Sequence, residues 1–243
     1  MRSLLAAIAM LSIIPVGNFM PTERELRRMV NSYPLAGALF AALFFGIGQL
    51  VAPLPPLVAA MLLTLLPEVL TKGLHLDGLA DTADGFLSGR SRERKLEIMR
   101  DSRIGTMGVA AIFALLGLKF AIFASLRQDL LSAAAALMML GGRYGMTWHI
   151  ATSRYARPEG LGKLSFAVKP VWGLTAGTLL LAGAGYLLVS PFAGLWLTAG
   201  LVMLMLLWSR LTCCVIGGAT GDTIGCAEEL AELWTAALLL LPW

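Results

Sequence analysis

The sequence predicts an all-α, polytopic integral membrane helical bundle of about six to seven transmembrane helices, with an interfacial or re-entrant helix near its N-terminal end. Composition is the first ground. Of 243 residues, 58% are hydrophobic and 14% charged, against roughly 25% charged in a soluble domain, and mean hydropathy is +0.77. Length is the second: apolar runs near 33–52, 54–72, 107–126, 130–151, 171–190 and 192–212 each approach the roughly 20 residues that cross a bilayer. A shorter apolar tail follows near 230–243. The third is charge placement, because basic residues gather in alternate connections.

At the start, Arg2 precedes LLAAIAMLSIIPV, which looks like a secretory signal. No small-residue cleavage site follows, and Pro15 and Gly17 break the run, so a retained interfacial or re-entrant helix is expected. Arg24, Arg27 and Arg28 then precede the first long span. Lys72 to Arg103 form a second basic connection, and Arg154, Arg157, Lys163 and Lys169 a third. The intervening connections near 53–56, 127–129 and 190–193 contain only Arg127. Positive charge stays on the cytoplasmic side, so the basic connections, and the 213–229 segment with them, are expected to face the cytoplasm across an inner (cytoplasmic) membrane.

The net charge of +4 follows from that topology. Nucleic-acid binding is excluded on the same ground, since the basic residues are spread over membrane-flanking loops without interleaved aromatics. Cys213, Cys214 and Cys226 form no CxxC pair and are read as reduced, packed thiols. No internal repeat, low-complexity tract or soluble domain interrupts the pattern, so residues 1–243 form a single domain. The oligomeric state is left open.

HLDGLADTADG, residues 75–85, carries the densest chemistry. At about 100° per residue, Asp77, Asp81 and Asp84 fall within roughly 60° on a helix. Each would cost about 2.5 to 3.5 kcal/mol at the centre of a transmembrane helix, so the trio is expected near the water interface, on a metal, or both. Oxygen ligands without a cysteine cluster favour Mg²⁺ or Mn²⁺ over zinc. His75 falls on the other side of this helix, where substrate and structural roles are equally open.

Ser91 is placed to cap a short helix with Leu96 and Met99 facing inward. Asp101 and Arg103 then stand beside Gly105, Thr106 and Gly108, where free amides at a helix start favour an anion. Arg143 lies inside an apolar span and should face the bundle interior, paired with a phosphate or an acid. RYARPEGLGK, 154–163, suits a phosphate-facing loop or a plain basic one. In GGATGDTIGCAEELAEL, 217–233, Asp222 and Glu229 would share a helix face, with Glu232 alongside and Glu228 further round.

A hard-cation site beside phosphate-binding loops suggests phosphoryl or nucleotidyl transfer to or from a membrane-associated acceptor. The aspartate spacing is similar to that of CDP-alcohol phosphatidyltransferases, but their DGxxAR and GxxxDxxxD signature differs in detail: TADG follows Asp81, and Gly105 stands four residues after Asp101. A cation-coupled transporter is the alternative from another class, although no repeat of the kind transporters commonly carry is visible.

Read in order, HLDGLADTADG, RKLEIMRDSRIGTMG, YARPEGLG and GGATGD resemble the cobalamin synthase family, the adenosylcobinamide-GDP ribazoletransferases, across nearly the whole chain. The resemblance implies a Mg²⁺-dependent integral membrane enzyme of late cobalamin biosynthesis. Its substrates would be adenosylcobinamide-GDP and α-ribazole or α-ribazole 5′-phosphate, and its products GMP and adenosylcobalamin or its 5′-phosphate. It further implies that Asp77, Asp81 and Asp84, with Asp101, hold metal against the diphosphate. Arg103, Arg143 and Arg157 would stabilise phosphate charge, and Asp84 or Asp101 would accept the hydroxyl proton. His75, Asp222, Glu229 and Glu232 would contact substrate or complete the metal shell.

Overall fold

The computed structural model describes residues 1–242; Trp243, the end of the expected apolar tail, lies outside the described residues. Helix α1 (Arg2–Leu11) is 10 residues long, about 15 Å at 1.5 Å per residue, which is half the hydrocarbon thickness. It buries Ala6, Ala7 and Leu11 against the bundle and stands where an interfacial or re-entrant helix is expected. Thr22 opens α2 (Glu23–Arg28) with a capping box: its hydroxyl accepts the Glu25 amide, and the Glu25 carboxylate accepts the Thr22 amide at 2.7 Å. A 3-10 turn leads into α3 (Tyr33–Val51), whose Pro34 sits in the first turn, where no amide donor is needed.

The next helix, α4 (Pro56–Thr71), ends at Lys72 (φ 57°) and Gly73 (φ 67°), and the chain leaves as α5 (Leu74–Phe86) after a bend of 91°. Two left-handed residues in succession stop a helix. Glycine takes its share without penalty, whereas Lys72 bears the steric cost of a Cβ. Helix α6 (Arg92–Ile98) is capped by Ser91, and α7 (Thr106–Ser125), α8 (Leu131–Thr152), α9 (Val171–Leu188), α10 (Pro191–Ile216) and α11 (Gly221–Leu238) complete the chain.

Helix α8 is the axis of the bundle. It is buried continuously from Leu131 to Thr147 and packs against α3, α9, α10 and α11. On its flank α5 lies close to α11: a Cβ on Gly78 would come within 2.7 Å of the Asp222 carbonyl oxygen, so a larger residue would force the helices apart.

Long helices occupy the intervals that the apolar runs predict, and the protein is an all-α membrane protein. Among the described residues four helices are long and apolar enough to cross a bilayer: α2–α3 as one unit, α7, α9 and α10, or five if α4 and α5 count as one bent span. That is fewer than the six to seven expected. Helix α8 is not among them and carries Arg143 and His149, while α11 carries Asp222, Glu228, Glu229 and Glu232. Both are wrapped by the other helices, so neither needs a lipid-compatible surface. Outward-facing Leu39, Leu43, Phe113, Leu179, Trp196 and Met203 are exposed, which suits a lipid-facing surface and not a soluble one.

The segments that carry Asp81, Arg92, Arg157 and Asp222 meet at one end of the bundle. There the 153–158 strand-like segment pairs with 217–219 through a single parallel bridge, Tyr155 to Ala219, with amide–carbonyl bonds of 2.8 Å from Ala156 to Ala219 and from Ala219 to Arg154. Arg92 donates to the Ile216 carbonyl at 2.8 Å and Arg154 to that of Gly217 at 2.9 Å. These are the free carbonyls at the C-terminus of α10, where cations are favoured.

Candidate active site

Helix α5 is sorted by its own sequence. Gly78, Leu79, Ala80 and Thr82 are buried, whereas Asp77 is exposed and Asp81 and Asp84 are half-buried. The aspartates thus stand on the face away from the core, as their spacing predicts. Asp81 feels the like charges of Asp222, Asp77 and Asp84, with Arg157 the opposing charge. Asp222 lies in the first turn of α11, which Thr220 caps. Its carboxylate accepts Arg157 at 2.9 Å and the Thr220 hydroxyl at 3.2 Å. Arg157 also approaches the Met99 carbonyl at 3.5 Å, so one guanidinium joins three polar segments.

The other sequence-marked acids have defined partners. Asp84 accepts the Gly105 amide at 2.7 Å and the Gly108 amide at 2.8 Å, one on each oxygen. It is therefore the cap of α7, its charge set against the helix N-terminus. Asp101 is exposed and accepts Arg103 through the backbone amide at 3.1 Å, Nε at 3.0 Å and Nη2 at 2.8 Å. Hydrogen bonds from Arg103 hold its carboxyl down at about 2.

Arg143, Glu229 and Glu232 lie elsewhere, in the bundle core. Arg143 is fully buried, pairs with Glu228 and Glu232, and stacks over Phe40. Lys119, also fully buried, donates to Glu68 at 3.2 Å, Glu229 at 2.6 Å and Glu232 at 2.8 Å. Among the described residues, these three glutamates form the one carboxylate group whose oxygens approach within 4.8 Å of one another, as a metal would require. The Lys119 ammonium already fills that role. His75 is buried beside this network, its Nδ1 3.1 Å from Glu228, though neither ring nitrogen makes a hydrogen bond.

Sequence reasoning passed over Lys119, Glu68 and His149. Lys119 and Glu68 each stand alone in an apolar run, the same signal that marked Arg143. His149 joins three helices, with Ser209 at 2.9 Å and Thr223 at 3.1 Å, which no sequence pattern announces.

The donor set left at the acidic face suits a hard cation. Among the described residues the Asp77 and Asp81 carboxylates accept no hydrogen bond, one Asp222 oxygen takes both Arg157 and Thr220, and Arg157 is the cation that acts on Asp81. Mg²⁺ in phosphate sites keeps several waters and uses one or two carboxylates, a demand that Asp77 and Asp81 would fit without the whole cluster drawing together.

Fold and site together define a polytopic α-helical membrane protein with a carboxylate-rich face at one end of its bundle. Residues 3–240 match the family described as CobS, cobalamin-5-phosphate synthase, and the chain belongs to that family. It is 39% identical over 248 residues to a protein of Desulforamulus reducens named adenosylcobinamide-GDP ribazoletransferase, covering 98% of this chain and 96% of that one. A Roseiflexus sp. protein of the same name is 39% identical over 240 residues, 97% of this chain and 88% of its own. A third, from Pseudomonas putida, is 40% identical over 232 residues, 93% of each chain. No solved structure matches.

Proposed function

We infer that this chain is an adenosylcobinamide-GDP ribazoletransferase, an enzyme of cobalamin nucleotide-loop assembly. The carrying observation is the full-length family match together with the free Asp77 and Asp81 carboxylates facing Asp222 and Arg157. A hydroxyl of α-ribazole, or of its 5′-phosphate, forms a new bond to the diphosphate phosphorus on the corrinoid side. The bridging P–O bond breaks and GMP leaves.

Asp77 and Asp81 would hold Mg²⁺. When bound, that ion neutralises diphosphate charge and stabilises the leaving phosphate. Arg157 orients Asp222 and offers its guanidinium to a phosphoryl oxygen. Asp222, bonded to Arg157 and Thr220 through one oxygen, takes the hydroxyl proton on the other. That role suits Asp84 and Asp101 less: Asp84 has both oxygens on the α7 amides, and Asp101, held near 2, is a weak base. Both instead fix the shape of the loop beneath the site. Arg143, Glu229 and Glu232 act from below, holding α8, α7 and α11 in register under α5. The site faces the cytoplasm of a cytoplasmic membrane, on the strength of the Lys and Arg residues flanking it.

GMP release by detergent-purified chain supplied with adenosylcobinamide-GDP and α-ribazole tests the reading. Release that requires Mg²⁺, yields a cobalamin and disappears in a folded Asp81→Asn variant is the expected result. Undiminished release from Asp81→Asn would remove that residue from the site, and no product from folded wild type would remove the function.

A further inference from the structure

A cavity of about 190 Å³ lies directly beside the acidic face, between α1, α3, α5, α8 and α11. Its deep walls are apolar and buried: Leu11, Tyr33, Met146 and Ile224. Its mouth is marked by the exposed Asp77 and the half-buried Asp222. At about 30 Å³ per water, the volume corresponds to roughly six waters, the scale of one small bicyclic ring and far below a corrin.

We propose that this cavity receives the planar benzimidazole base of the ribazole acceptor and so presents the attacking ribose hydroxyl beside Asp77 and Asp81. This rests on the ribazoletransferase reading. The base is flat and largely apolar, which matches the walls, and Met10 and Met146 supply sulfurs of the kind that pack on aromatic edges. Its substituted ring leaves one nitrogen that can only accept. His75 also lines the cavity, its Nδ1 3.1 Å from Glu228 and its Nε2 without a hydrogen-bonded partner. A neutral imidazole always keeps one N–H to donate. A phosphate or other anion is a poor occupant, because the polar rim is acidic and, among the described residues, no lysine or arginine lines the space. A lipid tail is a poor occupant as well, because the mouth opens at the charged end of the bundle.

The same cavity explains why α1 is part of the domain. Met10 and Leu11 close one wall, so α1 shapes a substrate site and need not cross the bilayer.

Equilibrium dialysis of dimethylbenzimidazole against the detergent-purified full chain, without corrinoid, reads the site directly. Saturable binding is expected, weakened about tenfold or more by Ile224→Phe, which fills the cavity. In turnover, the same variant should raise KM for α-ribazole by about tenfold and leave KM for adenosylcobinamide-GDP unchanged. A general packing defect would move both. Should Ile224→Phe fail to fold, Met10→Trp at the exposed lip serves in its place with the same expected readout. Absence of saturable base binding to the unaltered chain overturns the proposal, as does unchanged binding in a folded variant. Base binding without GMP release would leave the cavity assignment standing and overturn the transferase reading. GMP release from a chain that binds no base would overturn the cavity assignment alone.

Discussion

Asp84 of α5 and Gly108 of α7 are joined through a carboxylate–amide bond of 2.8 Å, and a Cβ on Gly108 would lie 2.5 Å from the other Asp84 oxygen. The contact leaves no room for a side chain, and it ties the aspartate helix to the start of a membrane span. Gly108→Ala should therefore lower the thermal midpoint in detergent. Asp84→Asn, which weakens the cap, should cost about 1 kcal/mol. Asp81→Asn should leave the midpoint unchanged or raise it, because it removes like-charge repulsion. Equal destabilisation by Asp84→Asn and Asp81→Asn would argue against separate roles for the two residues.

Lys119→Met is expected to destabilise the fold by about 3 to 5 kcal/mol, the range for removing one partner of a buried ion pair. Glu68, Glu229 and Glu232 would then face one another without the ammonium that separates them. Denaturant unfolding in mixed micelles measures the loss. A change below about 1 kcal/mol, the value of a surface pair, would show that the cluster is open to water.

Arg157→Ala should reduce kcat/KM by about a hundredfold, in line with loss of a charged group acting on a phosphoryl oxygen. Arg157→Lys should recover little, because one ammonium cannot span Asp222 and the Met99 carbonyl together. Full recovery by lysine would reduce the role of Arg157 to bare charge.

The Asp101–Arg103 pair yields an acid-side prediction. The folded carboxyl lies at about 2, below its ordinary 3.8, so the folded state binds the proton less tightly than the unfolded one. The pair's small contribution is present above roughly pH 4 and fades as pH falls towards 2. Both side chains are solvent-exposed, so salt should weaken it. NMR titration of Asp101 should show its midpoint returning towards 3.8 in Arg103→Ala; an unmoved midpoint would assign the shift to another cause.

Much of this fold is written in local patterns. Apolar runs marked α3, α4 and α7 to α10 to within a few residues, and the three-and-four spacing of Asp77, Asp81 and Asp84 placed them on one face of α5. What escaped is either a conformation unusual for its residue type or a contact between residues distant in sequence. The α4–α5 corner needs a left-handed Lys72, a conformation that lysine rarely adopts. The acids divide into a wet face around Asp81 and a dry cluster around Lys119, while α5 and α11 approach closely at Gly78. Helical periodicity put Asp222, Glu229 and Glu232 on one face, but it carries no depth. Over ten residues α11 runs from the charged end into the core, and that descent separates Asp222 from the two glutamates.

The bridge between Tyr155 and Ala219, braced by Arg92 and Arg154, fastens two connecting segments into one plate. The entropy of ordering these segments is spent during folding, and substrate meets a preorganised surface. Binding strength can then go into distorting the diphosphate towards its transition state, with none diverted to gathering the loops.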